Sequence, residues 1–114
     1  MLKELEEILQ ASAKVATFDI LDHDPIDADH FLVKIRCRLT TGTQLQIRLR
    51  GVAGQLRYSY QEFDVNEIQR WDNAPHFPQI NTHPHHYHDA QGNVQDSPLR
   101  GDPLIDLPFI LNLI

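Results

Sequence analysis

Apolar positions at the start of the chain recur at helical spacing. Leu2, Leu5, Ile8 and Leu9 fall on one stripe, with Lys3, Glu4, Glu6 and Glu7 around the remainder. This predicts a helix within residues 1–13, with acidic groups in its first turn where the helix dipole favours them. From Lys14 the period shortens toward two. Ala16, Phe18 and Ile20 share one side, predicting a first strand to Leu21, and the acidic stretch from Asp22 to Asp29 is rich in turn formers. The alternation is clearest from His30 to Leu39, where Phe31, Val33, Ile35, Cys37 and Leu39 oppose Leu32, Lys34, Arg36 and Arg38. After a turn over Thr40–Thr43, Leu45, Ile47 and Leu49 alternate with Gln46, Arg48 and Arg50. Two such runs predict a β-hairpin with one buried face. Gln55 to Phe63 gives another strand, and Glu67 to Trp71 a last one.

Residues 73–98 break the pattern. Four prolines and five histidines leave little periodicity, which predicts a long, irregular, functional loop anchored by Trp71, Phe77, Ile80, Tyr87 and Val94. In the apolar end, residues 99–114, Asp102–Pro103 resembles a helix start, and Pro103 and Pro108 each suit a first helical turn. One or two short turns are expected there. The whole is a single α+β domain: an N-terminal helix (1–13), an antiparallel meander of four to five strands (14–72), the His/Pro-rich loop (73–98) and a short helical tail (99–114).

Charge changes this picture more than composition does. The net charge is −6, which by itself argues against a polyanionic partner. Yet residues 34–70 hold seven Lys or Arg against three acids, a basic island within an acidic chain. Cys37 is the only cysteine, so no intrachain disulfide or four-cysteine zinc site can form. With no basic-then-apolar leader and no stretch long enough to span a bilayer, a cytoplasmic protein is expected.

Three groups of residues suggest chemistry. Lys34, Arg36, Arg38, Arg48, Arg50 and Arg57 project from the strands toward one side. Like charges facing each other across a ladder repel, so they invite an anionic partner such as a phosphate backbone; a face neutralised by Glu4, Glu6 and Glu7 is the alternative. His76, His83, His85, His86 and His88 cluster within thirteen residues. Some of these exchange protons near neutral pH as general acid and base, or hold a metal, or cap loop backbone groups. For a metal, zinc on His83, His85, His86 and His88 is the set considered, with Asp72 or His76 completing the shell. Arg70 and Asp72 end the last strand at the loop, where Asp72 is expected to orient an imidazole and Arg70 to stabilise phosphoryl charge, with turn formation by Asp72 and Asn73 the alternative.

The run Arg57, Tyr58, Ser59, Tyr60, then Arg70, Trp71, Asp72, Asn73, Ala74, Pro75, His76 and Pro78, then Thr82, Pro84, His85, His86 and His88 resembles the TumE-type toxins of prokaryotic toxin–antitoxin modules. The chain departs from that pattern at Phe77, His83 and Tyr87, and in its proline-containing apolar end. The resemblance implies a toxin neutralised by an antitoxin that carries a DNA-binding domain. With the residues, it points to metal-independent RNA cleavage, using His85, His86, His88, Arg70, Asp72 and His76 at the site and the six strand cations for the backbone. Two other readings stand beside it. One is a histidine-rich zinc protein. The other is a non-catalytic interaction module, associating with a partner or as a homodimer through Leu104–Ile114.

Overall fold

The computed structural model describes all 114 residues. Helix α1 (Leu2–Ala11) is followed by strands β1 (Val15–Pro25), β2 (Phe31–Leu39), β3 (Gln44–Val52), β4 (Gln55–Phe63), β5 (Glu67–Asp72), β6 (His86–His88) and β7 (Val94–Asp96), and then by helix α2 (Pro103–Leu113). The strands form one antiparallel sheet in sequence order, so every neighbour in the chain is a neighbour in space.

Alternation assigns the two faces. Val33, Ile35, Cys37, Leu45, Ile47, Leu49, Tyr58, Tyr60 and Trp71 are buried on one side, where Leu5 and Leu9 of α1 and Leu107, Ile110 and Leu111 of α2 complete the core. Burial of this area is the main favourable contribution to folding. Cys37 lies within this core and burial pushes its thiol up to about 12, so it packs as an apolar group rather than a nucleophile. The opposite face has no helix over it. The acids of α1 therefore stand on the other side from the strand cations, and Glu4 pairs with the N-terminal amine at 2.8 Å.

The sheet has seven strands rather than four or five. The additional two lie inside residues 73–98, which were expected to be irregular. Each is three residues long, too short for a period of two to be recognised. Their hairpin is closed by Asp89, whose Oδ1 accepts from Gln91 N at 3.0 Å and Asn93 N at 2.9 Å, and by Gly92 at φ +83°. β1 also runs four residues beyond Leu21, because Asp22–Pro25 pair with Lys34–Phe31 after a bulge.

The end of the chain is a single helix of 11 residues rather than one or two turns. Asp102 caps it, accepting from Leu104 N at 3.0 Å, and buried Asp106 ties down the backbone N–H of Arg100 (3.0 Å) and Gly101 (2.8 Å). Pro108 sits in its interior. The carbonyl deprived of a donor belongs to Leu104, on the exposed side, so tertiary packing outweighs the local penalty. Lys14 Nζ donates to the carbonyls of Leu111 (2.9 Å) and Ile114 at the other end. No helix is long and apolar enough to cross a membrane.

Leu107 is fully buried and Leu104 exposed on the same helix. Leu107→Ala should therefore cost about 2–5 kcal/mol and Leu104→Ala under about 0.5 kcal/mol, read by urea unfolding. Equal losses would contradict this placement of α2.

Candidate active cleft

Cross-strand register builds a polar site on the uncovered face. One row runs from Lys34 through Arg48, Ser59 and Asp72 to His86; the next runs from Arg36 through Gln46, Gln61 and Arg70 to His88. Arg50 pairs directly with Arg57. Residues opposite each other in a ladder project to the same side, so these rows share one surface. A cleft of about 360 Å³ opens there, lined by Arg48, Arg50, Arg57, Arg70, Ser59, Asp72 and Asn73 together with Tyr58 and Ala74. Four guanidiniums thus face a single carboxylate.

Arg48, Arg50 and Arg57 form no ion pair; Arg57 donates only to the Asn73 carbonyl, at 3.1 Å. Neutralisation by Glu4, Glu6 and Glu7 does not occur. Lys34, Arg36 and Arg38 share the face but do not line the cleft. Arg36 donates to Gln46 Oε1 at 2.6 Å and lies 5.7 Å from the Phe63 ring centroid.

Arg70 is held differently, by three partners. Nε donates to Asp72 Oδ2 at 2.9 Å and Nη1 to Glu67 Oε1 at 2.8 Å, and Nη2 lies 3.1 Å from His88 Nε2. Such anchoring fixes the guanidinium plane before any ligand arrives. Asp72 is the centre of this network. Its Oδ1 takes the Ala74 N–H at 3.0 Å and lies 2.8 Å from His86 Nε2. The other nitrogen of His86, Nδ1, is 3.1 Å from the Pro84 carbonyl. Both of its neighbours are acceptors, so a hydrogen on either ring nitrogen finds a partner. His86 is 2 % exposed and covered by Phe77, ring centroids 4.8 Å apart, so it positions Asp72 rather than meeting a ligand.

His88 accepts at Nε2 from Arg70, which leaves its hydrogen on Nδ1. Burial, then the Arg70 cation, hold its pKa below the ordinary histidine value. The strand that carries His86 and His88 is fixed by Tyr87 between them. Tyr87 packs on Trp71 at 5.1 Å between ring centroids and donates to Gln69 Oε1 at 2.6 Å, and Gln69 in turn donates to buried Glu62 at 2.7 Å.

The histidines expected at one site are divided. His86 and His88 join Arg70 and Asp72, whereas His85 lies on the helix side of the sheet, its Nδ1 2.7 Å from the Tyr58 hydroxyl. His76 and His83 are exposed and outside the network. The four-histidine zinc set is therefore not assembled. Asp72, His86 and His88 do bring ligand atoms within 4.8 Å of one another. However, the Arg70 guanidinium already bridges Asp72 and His88, so a metal ion would have to displace a cation held by three partners. Glu67 was not singled out from the sequence, and Ser59, Asn73 and Phe77 entered only within the motif run or as a loop anchor, with no role at the site. Register alone would have found Ser59, which sits on the outward parity between Arg57 and Gln61; the others act through loop contacts that leave no periodic signal.

Two measurements follow from this geometry. Untagged protein should carry less than about a tenth of an equivalent of zinc by elemental analysis; a stoichiometric ion would reinstate the metal reading. Because the folded state depresses the His88 pKa below 6.5, the unfolded chain binds more protons between the two values. The stability this group contributes is complete above that window and is lost as pH falls through it. His88→Gln should flatten the decline in unfolding free energy between about pH 7 and pH 5.

The chain matches a family model described as Toxin TumE over residues 5–112, nearly its whole length. Neither the curated proteins nor the solved structures compared with it gave a match. The match takes in most of both helices and all seven strands, well beyond the motif run from Arg57 to His88, and on it the chain belongs to the TumE toxin family.

Proposed function

We propose that this toxin cleaves RNA without a metal, at the cleft between β3, β4 and β5. The observation that supports this most directly is that Arg48, Arg50 and Arg57 line the cleft with no carboxylate partner, beside an Arg70 already fixed in place. Charges left unpaired at such density favour an anion with several oxygens, and RNA supplies these along its backbone.

The histidine network supplies the proton chemistry. A phosphate oxygen entering the cleft takes over the hydrogen bond of Arg70 Nη2, while Asp72 and Glu67 keep the guanidinium in place, and His88 Nε2 is freed. That nitrogen takes the 2′-hydroxyl proton while O2′ bonds to phosphorus and the bond from phosphorus to O5′ breaks. The departing O5′ takes its proton from water, and His88 returns its own to solvent. The products are a 2′,3′-cyclic phosphate and a free 5′-hydroxyl. The arginines stabilise the charge that develops on the phosphorane oxygens. His85 and His76, set apart from the cleft, have no part in this scheme. Lys34, Arg36 and Arg38 extend the cationic surface for flanking backbone.

A toxin acting on RNA in its own cytoplasm requires a neutralising partner, and the family resemblance supports an antitoxin with a DNA-binding domain. Ile105, Phe109 and Leu113, exposed at successive turns of α2, form the stripe that a homodimer through the C-terminal segment would use. A monomer in sedimentation at working concentration would remove the homodimer from this reading.

Arg70→Ala and His88→Gln should each lower RNA cleavage on the order of 100-fold and relieve growth arrest, with circular dichroism unchanged. Chelators should have no effect on cleavage. An Arg57→Ala, Arg70→Ala double variant that still arrests growth like the wild type would refute the proposal.

A further inference from the structure

We infer that a second concavity, beside the cleft and sharing two of its arginines, seats the base of a neighbouring nucleotide. This rests on the RNA reading of the cleft and adds to it a site that recognises bases rather than phosphates.

The outward face of the sheet carries the Phe63 ring beneath Arg36 near one end and gathers several apolar side chains at the other. There Ile26, Leu32 and Val52 come together with His30 around a hollow of about 440 Å³, whose remaining walls include Arg48 and Arg50. Both arginines also line the cleft, so the two spaces adjoin at them. Leu32 pairs with Arg50 across β2 and β3, and Val52 follows Arg50 by two residues, which sets both apolar side chains on the outward parity. Ile26 is 71 % exposed and Val52 44 % exposed, on the face that no helix covers. Apolar groups there gain nothing from the core.

A planar heteroaromatic ring explains the combination. Its faces rest on aliphatic side chains and on the imidazole of His30, which Asp27 Oδ1 holds at 3.1 Å. The phosphates on either side of that base meet Arg48 and Arg50. Asp24 on the same wall disfavours a phosphate there, while its oxygens accept from an exocyclic amine. A nucleotide with its phosphate in the cleft thus has a neighbour whose base enters the hollow.

The test compares two fluorescent probes of equal charge, a short oligoadenylate and the abasic ribose-phosphate oligomer of the same length. Wild-type protein should bind the oligoadenylate tighter on the order of ten-fold. Ile26→Ser with Val52→Ser, both at exposed positions, should erase that preference and leave affinity for the abasic oligomer unchanged. A preference that survives the double variant, or a wild type without one, overturns the base site while leaving the cleft intact. Loss of neither probe on Arg57→Ala with Arg70→Ala would instead overturn the RNA reading, and this inference with it.

Discussion

The period of two along a strand is the constraint on which the rest of this molecule depends. A sheet has two sides, and a helix layer can cover only one of them. Both helices pack on the side bearing Ile35, Ile47, Leu49 and Tyr60, so residues of the other parity are delivered to a face that no helix covers. Because the meander keeps sequence order, those residues line up in rows running from β2 to β6. The rows place Arg48 beside Ser59 and Ser59 beside Asp72 with no dedicated loop. A one-residue slip between β3 and β4 would bury arginines and dismantle core and cleft together. The energy that fixes the register therefore also fixes the site.

Within that frame Asp72 does what a loop alone could not. Removing a carboxylate from water is costly unless it is hydrogen-bonded and paired. Asp72 has a backbone N–H, an imidazole and a guanidinium around it, and each side chain is itself anchored elsewhere: His86 on the Pro84 carbonyl, Arg70 on Glu67. The result is one arginine held rigid in a group of otherwise free ones. Rigid and free cations serve different ends, since a fixed guanidinium sets geometry while unpaired ones supply attraction.

Much of this was legible in the sequence, and the boundary is physical. Alternation from Phe31 to Phe63 is long enough to define three strands and their buried side, and it predicted the cationic face. The motif run from Arg57 to His88 pointed to the family. Two three-residue strands, by contrast, have no measurable period, and their pairing is dictated by Tyr87 against Trp71 and by the Asp89 turn. The division of the histidines turns on the same point. Strand parity over residues 86–88 sends His86 and His88 outward, and one residue earlier it sends His85 toward the core. Without the strand, that parity has nothing to act on. At Pro108 local preference gives way to packing. A helix apolar on nearly all sides gains enough from burying Leu107, Ile110 and Leu111 to tolerate one lost bond.

What a net charge of −6 means for an anion in the cleft is decided by distance. The acids of α1 are behind the sheet. Those of β1, Asp19, Asp22 and Asp24, lie on its outer edge, next to Arg36, Lys34 and Leu32. Strands are spaced about 4.8 Å apart, so β4 lies roughly 14 Å and β5 roughly 19 Å from β1. The screening length at physiological salt is about 8 Å, and the β2 cations stand in between. A phosphate in the cleft therefore senses four guanidiniums and Asp72 far more than the distant carboxylates. The same acids disfavour an anion at the β1 edge itself, where Asp24 forms one wall of the adjoining hollow.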